Sequence, residues 1–114
     1  MKAFKASARP RRNKFGAIPT VVDGRRFDSR REAARYAELR ILERAGQISG
    51  LECQPSFPLV VGTVKIGTYR ADFRYRDAAG SEITEDVKGV RTAVYRLKAK
   101  LMLAIYGIAI REIE

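Results

Sequence analysis

The strongest constraint on the fold is an alternation over eight residues: Tyr69, Ala71, Phe73 and Tyr75 interleave with Arg70, Asp72, Arg74 and Arg76. A period of two places successive side chains on opposite faces of a strand, so a half-buried strand over residues 66–76 is predicted. Ala79-Gly80 then turns the chain. Residues 82–88 alternate again, with Ile83, Glu85 and Val87 on one side and Glu82, Thr84, Asp86 and Lys88 on the other. An antiparallel hairpin is the simplest arrangement.

Helical signals flank the hairpin. Ser29 and Glu32 have the Ser-x-x-Glu spacing of a capping box, and Ala34, Ala37, Ile41 and Ala45 follow at helical intervals. A helix over residues 29–45 is expected, with Gly46 as its left-handed cap. Residues 51–54 and 57–61 form an extended stretch bent near Pro55, which Gly62 ends. A second helix over residues 92–106 carries the stripe Val94, Leu97, Leu101, Ala104 and Ile105. Gly107 stops it, and Ile108, Ala109, Ile110 and Ile113 make a short final strand. The order helix, three strands, helix, strand describes an α/β domain on a mixed sheet, an α+β arrangement.

With 114 residues, 46% of them hydrophobic, the chain has enough material for one core. Its charge is uneven. Residues 1–31 hold ten Lys/Arg and two Asp, whereas residues 32–114 hold thirteen Lys/Arg and eleven Asp/Glu, so eight of the ten excess positive charges lie in the first quarter. Residues 1–22, with Pro10, Asn13, Gly16 and Pro19, read as a flexible basic arm that enters a turn at Asp23-Gly24. Such an arm suits a phosphate backbone; the alternative is a solvated tail. Residues 23–114 form the folded domain.

Histidine is absent and Cys53 is the single cysteine. This excludes a zinc finger, a Ser-His or Cys-His nucleophile pair and an intrachain disulfide. Any metal must be held by oxygen, and the expected lone thiol is reduced and buried. The longest apolar run, 101–110, is too short to cross a bilayer. Charges interrupt every apolar window at the N-terminus, so no signal peptide is read there and the expected location is the cytoplasm.

One constellation carries chemistry. Asp86 and Lys88 are two apart on a strand and project from one face, and Asp72 on the neighbouring strand can lie beside them. Two carboxylates beside an amine are an ordinary cross-strand ion pair on a wet sheet face. They are also, with a backbone carbonyl such as that of Val87, oxygen ligands suited to Mg²⁺. Tyr69, Phe73, Tyr75 and Tyr95 are either base-stacking residues or core.

The motifs extend beyond that cluster. Tyr-Arg-Ala-Asp-Phe, followed fourteen residues later by Glu-Asp-Val-Lys-Gly, resembles the signature of the PD-(D/E)XK nuclease superfamily, an Asp preceding an acid-x-Lys motif across a hairpin. The element order is similar to that superfamily's restriction-endonuclease-like αβββαβ core. Segments 27–33, 46–55 and 85–90 resemble a small uncharacterised phage- and prophage-encoded family within it. The resemblance covers residues 23–114.

The resemblance implies a Mg²⁺-dependent DNA endonuclease, with Mn²⁺ able to substitute and no organic cofactor. Asp72 becomes the motif Asp, Asp86 the acid, Lys88 the catalytic lysine and Glu32 a helix carboxylate of the metal site, with Val87 as a further ligand. Glu32 has a second role as capping partner of Ser29. It can face a sheet only if Tyr36 and Leu39, rather than Ala34, Ala37 and Ile41 alone, are buried. Ala71 stands where the motif name has Pro. Glu85 competes with Asp86 for the acid position, but alternation favours Asp86, which shares a face with Lys88. Gln54 is a possible auxiliary. Arg9, Arg11, Arg12, Lys14, Arg25, Arg26, Arg30, Arg91, Lys98 and Lys100 are expected to meet DNA phosphates. Branched DNA cut by a homodimer, in the cytoplasm of a bacterial host, is the expectation by analogy; the alternative is a non-catalytic nucleic-acid-binding module on the same scaffold.

Overall fold

The computed structural model describes residues 19–114, which divide between Ala37 and Glu38 into two compact units. The basic residues Arg9, Arg11, Arg12 and Lys14 lie outside the described residues. The fold is mixed α+β. In the first unit β1 (Thr20–Val22) pairs antiparallel with β2 (Arg25–Phe27), Thr20 facing Phe27 and Val22 facing Arg25. Asp23 and Gly24 between them have φ of 53° and 74°, the two left-handed residues that a type I′ turn demands. Regular pairing thus begins three residues inside the segment read from sequence as arm.

Helix α1 (Arg30–Arg44) starts at Ser29, whose Oγ accepts from the Glu32 amide at 3.1 Å. Glu32 Oε1 accepts from the Asp28 amide at 3.3 Å, one residue upstream of the standard box partner. The Tyr36 hydroxyl donates to Asp23 Oδ2 at 3.1 Å, and the Phe27 and Tyr36 ring centroids lie 5.0 Å apart. The buried stripe of α1 is Glu32, Ala33, Tyr36 and Leu39. The expected alanine stripe is wrong: Ala34 and Ala37 are exposed and Ile41 is 65% exposed. Tyr36 and Leu39 remove far more apolar area from water than alanines do, so they set the rotation.

In the second unit, Gly46 at φ 76° closes the helix, and Glu43 Oε2 accepts from the Leu51 amide at 3.1 Å. The chain continues as β3 (Ser49–Cys53), β4 (Ser56–Val61), β5 (Val64–Arg70), β6 (Phe73–Arg76), β7 (Glu82–Val87), α2 (Ala93–Tyr106) and β8 (Arg111–Ile113). Strands β3, β6, β7 and β8 form one sheet in that order, antiparallel except for β7–β8, while β4 and β5 form a separate two-stranded ribbon.

The expected strand over 66–76 is therefore two strands, broken at Ala71-Asp72. Its partner breaks at the same level, where Gln54 takes φ 56° ahead of Pro55. Two bonds carry the pairing around this corner, from the Gln54 amide to the Asp72 carbonyl at 2.8 Å and from the Ala71 amide to the Pro55 carbonyl at 3.1 Å. A left-handed residue followed by a proline cannot continue a flat strand, so both chains turn out of the sheet together.

Helix α2 is capped by Thr92, which accepts from the Tyr95 amide, and by left-handed Gly107 at φ 68°. It packs on the ribbon: Phe57, Leu59, Tyr69, Ala71, Tyr95 and Met102 form the core, with Ala99, Leu101 and Ile105 partly buried against it. Full burial of Leu59 or Met102 contributes about 1.5–3 kcal/mol each. Val94, Leu97 and Ala104 of the expected stripe are exposed instead, because Tyr95, Ala99 and Met102, four and three residues apart, form the inward face. Cys53 is half-buried rather than buried, on β3 opposite Phe73.

Candidate functional site

The corner and the end of β7 meet. Asp72 sits just outside β6, its amide donating to the Glu85 carbonyl at 3.0 Å and its carbonyl accepting from Gln54. Its carboxylate oxygen Oδ2 accepts from the Val87 amide at 2.6 Å. Two of these bonds fix Asp72 against β7, and the third ties it to Gln54. With Phe73 opposite Glu85 and Arg74 opposite Thr84, Asp72 falls on the same face as Asp86, and alternation brings Lys88 to that face too. Lys88 Nζ lies 3.1 Å from Asp86 Oδ1.

Two tyrosines contact this cluster. The Tyr69 hydroxyl, from the base of β5, donates to Asp86 Oδ2. Burial and then the Asp86 charge raise the Tyr69 phenol far above its ordinary range, so it stays a donor. Lys88 Nζ also stands 3.8 Å from the Tyr95 ring centroid, a cation–π contact worth about 0.5–2 kcal/mol. The Tyr95 hydroxyl in turn donates to Glu112 Oε2 at 2.7 Å, and its phenol is raised mainly by burial, then by that bond. Glu112 is the β8 residue paired with Asp86. Arg91 binds Glu112 at 2.7 Å and Glu114 at 2.5 Å, which with Tyr95 holds the Glu112 carboxyl below the usual carboxylate range.

The remaining sequence candidates are placed as follows. Glu85 points to the opposite face of β7, where it is fully buried and accepts from the Tyr75 hydroxyl, so it does not join Asp86. Gln54 reaches Asp72 through its backbone. Arg91, expected at phosphates, is engaged by two carboxylates. Lys98 is half-buried, and Lys100 is exposed on α2. In the first unit Arg25, Arg26 and Arg30 are exposed, while Glu32 is 4% exposed. Tyr69, Phe73, Tyr75 and Tyr95 are all buried, which leaves their faces to the core rather than to bases.

Tyr69, Tyr95 and Glu112 were missed as site residues. The available signal was general: a buried tyrosine hydroxyl needs a partner, and the nearest acids in the pattern belong to the motif. Nothing local pointed to Glu112, because its position follows from a parallel pairing across the whole of α2.

The donor set is carboxylate and backbone oxygen, the class Mg²⁺ takes. Among the described residues no group of three or more Asp, Glu or Cys side chains is gathered to hold an ion unaided. Waters and substrate oxygens would complete a coordination sphere built on Asp72 and Asp86, as is usual for Mg²⁺. Among the described residues no helix is long and apolar enough to cross a membrane.

Fold and cluster together define a small basic α+β protein with an acid, acid and lysine gathered at the corner of a bent hairpin. The chain belongs to the family described as "Protein of unknown function (DUF1064)", whose model matches residues 12–111. No curated protein and no solved structure matches it.

Proposed function

We propose that the chain is a metal-dependent endonuclease of PD-(D/E)XK type that hydrolyses phosphodiester bonds in DNA. The observation that supports this reading most is the convergence of Asp72, Asp86 and Lys88 on one face, with Lys88 Nζ 3.1 Å from Asp86 Oδ1. In this proposal Asp72, Asp86 and the Val87 carbonyl hold Mg²⁺ or Mn²⁺. The ion, when bound, supplies Lewis-acid stabilisation of charge at phosphorus.

The chain's own groups do the rest. Asp86 and the Tyr95 ring hold the Lys88 ammonium in place, so it needs little reorganisation to orient a water or meet developing negative charge. The Val87 amide and the Gln54–Asp72 bond hold the Asp72 carboxylate in position. Exposed Arg25, Arg26, Arg30 and Lys100, with Arg9, Arg11, Arg12 and Lys14, supply phosphate contacts and a steep salt dependence. Action on branched DNA as a homodimer in a bacterial cytoplasm belongs to the same proposal.

A second reading, a nucleic-acid-binding module without catalysis, draws support from Asp86 itself. Both its oxygens are engaged within the protein, by Tyr69 and by Lys88. The discriminating experiment incubates wild type and Asp86→Ala with labelled linear, nicked, flap and four-way-junction DNA in Mg²⁺, Mn²⁺ or EDTA. Metal-dependent cutting by wild type alone is expected. A folded wild-type protein that binds these substrates and cuts none removes the nuclease reading in favour of the module.

A further inference from the structure

Between Glu52 and Asp72 the sequence contains no Asp or Glu, while Lys65 and Arg70 are cationic. That span folds as the β4–β5 ribbon. Its inner face, Phe57, Leu59 and Tyr69, is buried with α2. The ladder then runs on past the core, with Val61 opposite Val64 and left-handed Gly62 in the turn at φ 62°. Val61, Val64 and Ile66 at this tip are 52%, 59% and 53% exposed. Single exposed apolar residues are ordinary, but three branched ones gathered at a hairpin tip mark a contact surface.

The ribbon is tied to the acidic cluster. Strand β5 ends at Arg70, two residues before Asp72, and Tyr69 at its base donates to Asp86. From Tyr69 to Val64 is five residues, about 17 Å at ~3.3 Å per residue.

A ribbon whose charged residues are Lys65 at the tip and Arg70 at the base, both positive, and whose tip also exposes three branched apolar groups, fits a polyanion that also presents apolar faces. Nucleic acid is such a partner, and its base faces are open only where bases are unpaired or unstacked. The geometry points to the β4–β5 hairpin as a substrate-engaging ribbon: Arg70 at its base and Lys65 at its tip each meet a phosphate, and Val61, Val64 and Ile66 pack on unstacked bases about 17 Å from the Asp72–Asp86 cluster. This rests on the nucleic-acid reading above and deepens it by naming the substrate class, DNA with unpaired bases close to the site. Fully stacked duplex offers the tip nothing.

The test uses the full chain in EDTA. Fluorescence anisotropy compares a blunt duplex with the same duplex bearing a single-stranded flap, for wild type and for Val61→Ser/Val64→Ser/Ile66→Ser. A Val61→Thr/Val64→Thr variant keeps β-branching, and circular dichroism confirms that both variants are folded. Wild type is expected to bind the flap DNA about tenfold more tightly than the duplex. The triple variant should bind both alike, with duplex affinity and salt dependence unchanged. A variant that keeps the flap preference overturns the inference, as does a wild type that shows none. So does a tip whose loss abolishes binding to phosphatidylserine vesicles while leaving the flap preference intact. Because binding is read in EDTA and cutting in a separate incubation with metal, the two claims separate. Tip-dependent flap preference without cutting in Mg²⁺ or Mn²⁺ keeps the ribbon and removes the nuclease; cutting without tip dependence does the reverse.

Discussion

Replacing Tyr69 with Phe removes one oxygen and keeps the ring. The ring centroid lies 6.3 Å from that of Phe57 and 6.4 Å from that of Tyr95, so packing survives and no cavity opens. What is lost is the O–H that donates to Asp86, a residue only 4% exposed, where water is a poor substitute. A hydrogen bond to a charged group contributes about 1.5–3 kcal/mol net. Lys88 at 3.1 Å still compensates the Asp86 charge, so the loss falls at the low end, about 1.5–2 kcal/mol. That is roughly a 10- to 30-fold change in the folding equilibrium and a fall in Tm of about 5–10 °C.

Urea unfolding followed by circular dichroism measures this directly. The phenol's pKa is raised in the folded chain, so its contribution is complete below the unfolded value of 10.0 and is lost as pH rises above it. The gap between wild type and Tyr69→Phe should therefore be constant from neutral pH to about pH 9 and narrow beyond pH 10. A difference under about 0.5 kcal/mol at pH 7 would refute the idea that this phenol holds Asp86.

Further outcomes are expected elsewhere. Lys88→Ala should abolish cleavage on denaturing gels while DNA binding stays within about twofold; loss of both together argues that Lys88 is structural rather than catalytic. Glu112 has a folded pKa held down by Arg91 and then Tyr95, so the stability it contributes is present above the ordinary 4.5 and is lost as pH falls through the lower folded value. Glu112→Gln should flatten acid unfolding below about pH 4.5, and an unchanged acid limb would exclude that linkage. Ser29→Ala removes the cap of α1 and should cost about 1 kcal/mol in thermal or urea unfolding. Gly107→Ala forces a side chain into φ 68° and should cost about 1 kcal/mol, even though open space surrounds the added carbon.

Much of the local structure was legible in residues a few positions apart. The alternation over 69–76, the Ser29 cap, the Thr92–Gly107 span of α2 and the common face of Asp72, Asp86 and Lys88 all follow from periodicity, caps and pleat. The stripe of α1 was misread, because counting apolar positions gives Ala34 the same weight as Tyr36, and that of α2 held only at Leu101 and Ile105. The break at Ala71-Asp72 was also missed. Its alternating pattern persists across the corner, and the cause lies on the partner strand at Gln54-Pro55.

By itself the sequence determined the hairpin, the caps and which charged residues share a strand face, since these depend on interactions within a turn or a pleat. Tertiary structure alone decided what surrounds them. Tyr69 reaches Asp86 and Tyr95 reaches Glu112 across seventeen residues each, and Asp86 lies beside Glu112 through a parallel pairing. These contacts exist only once the strands have crossed the corner and α2 has packed on the ribbon. No periodicity encodes them, because they are set by where whole elements bury their surface.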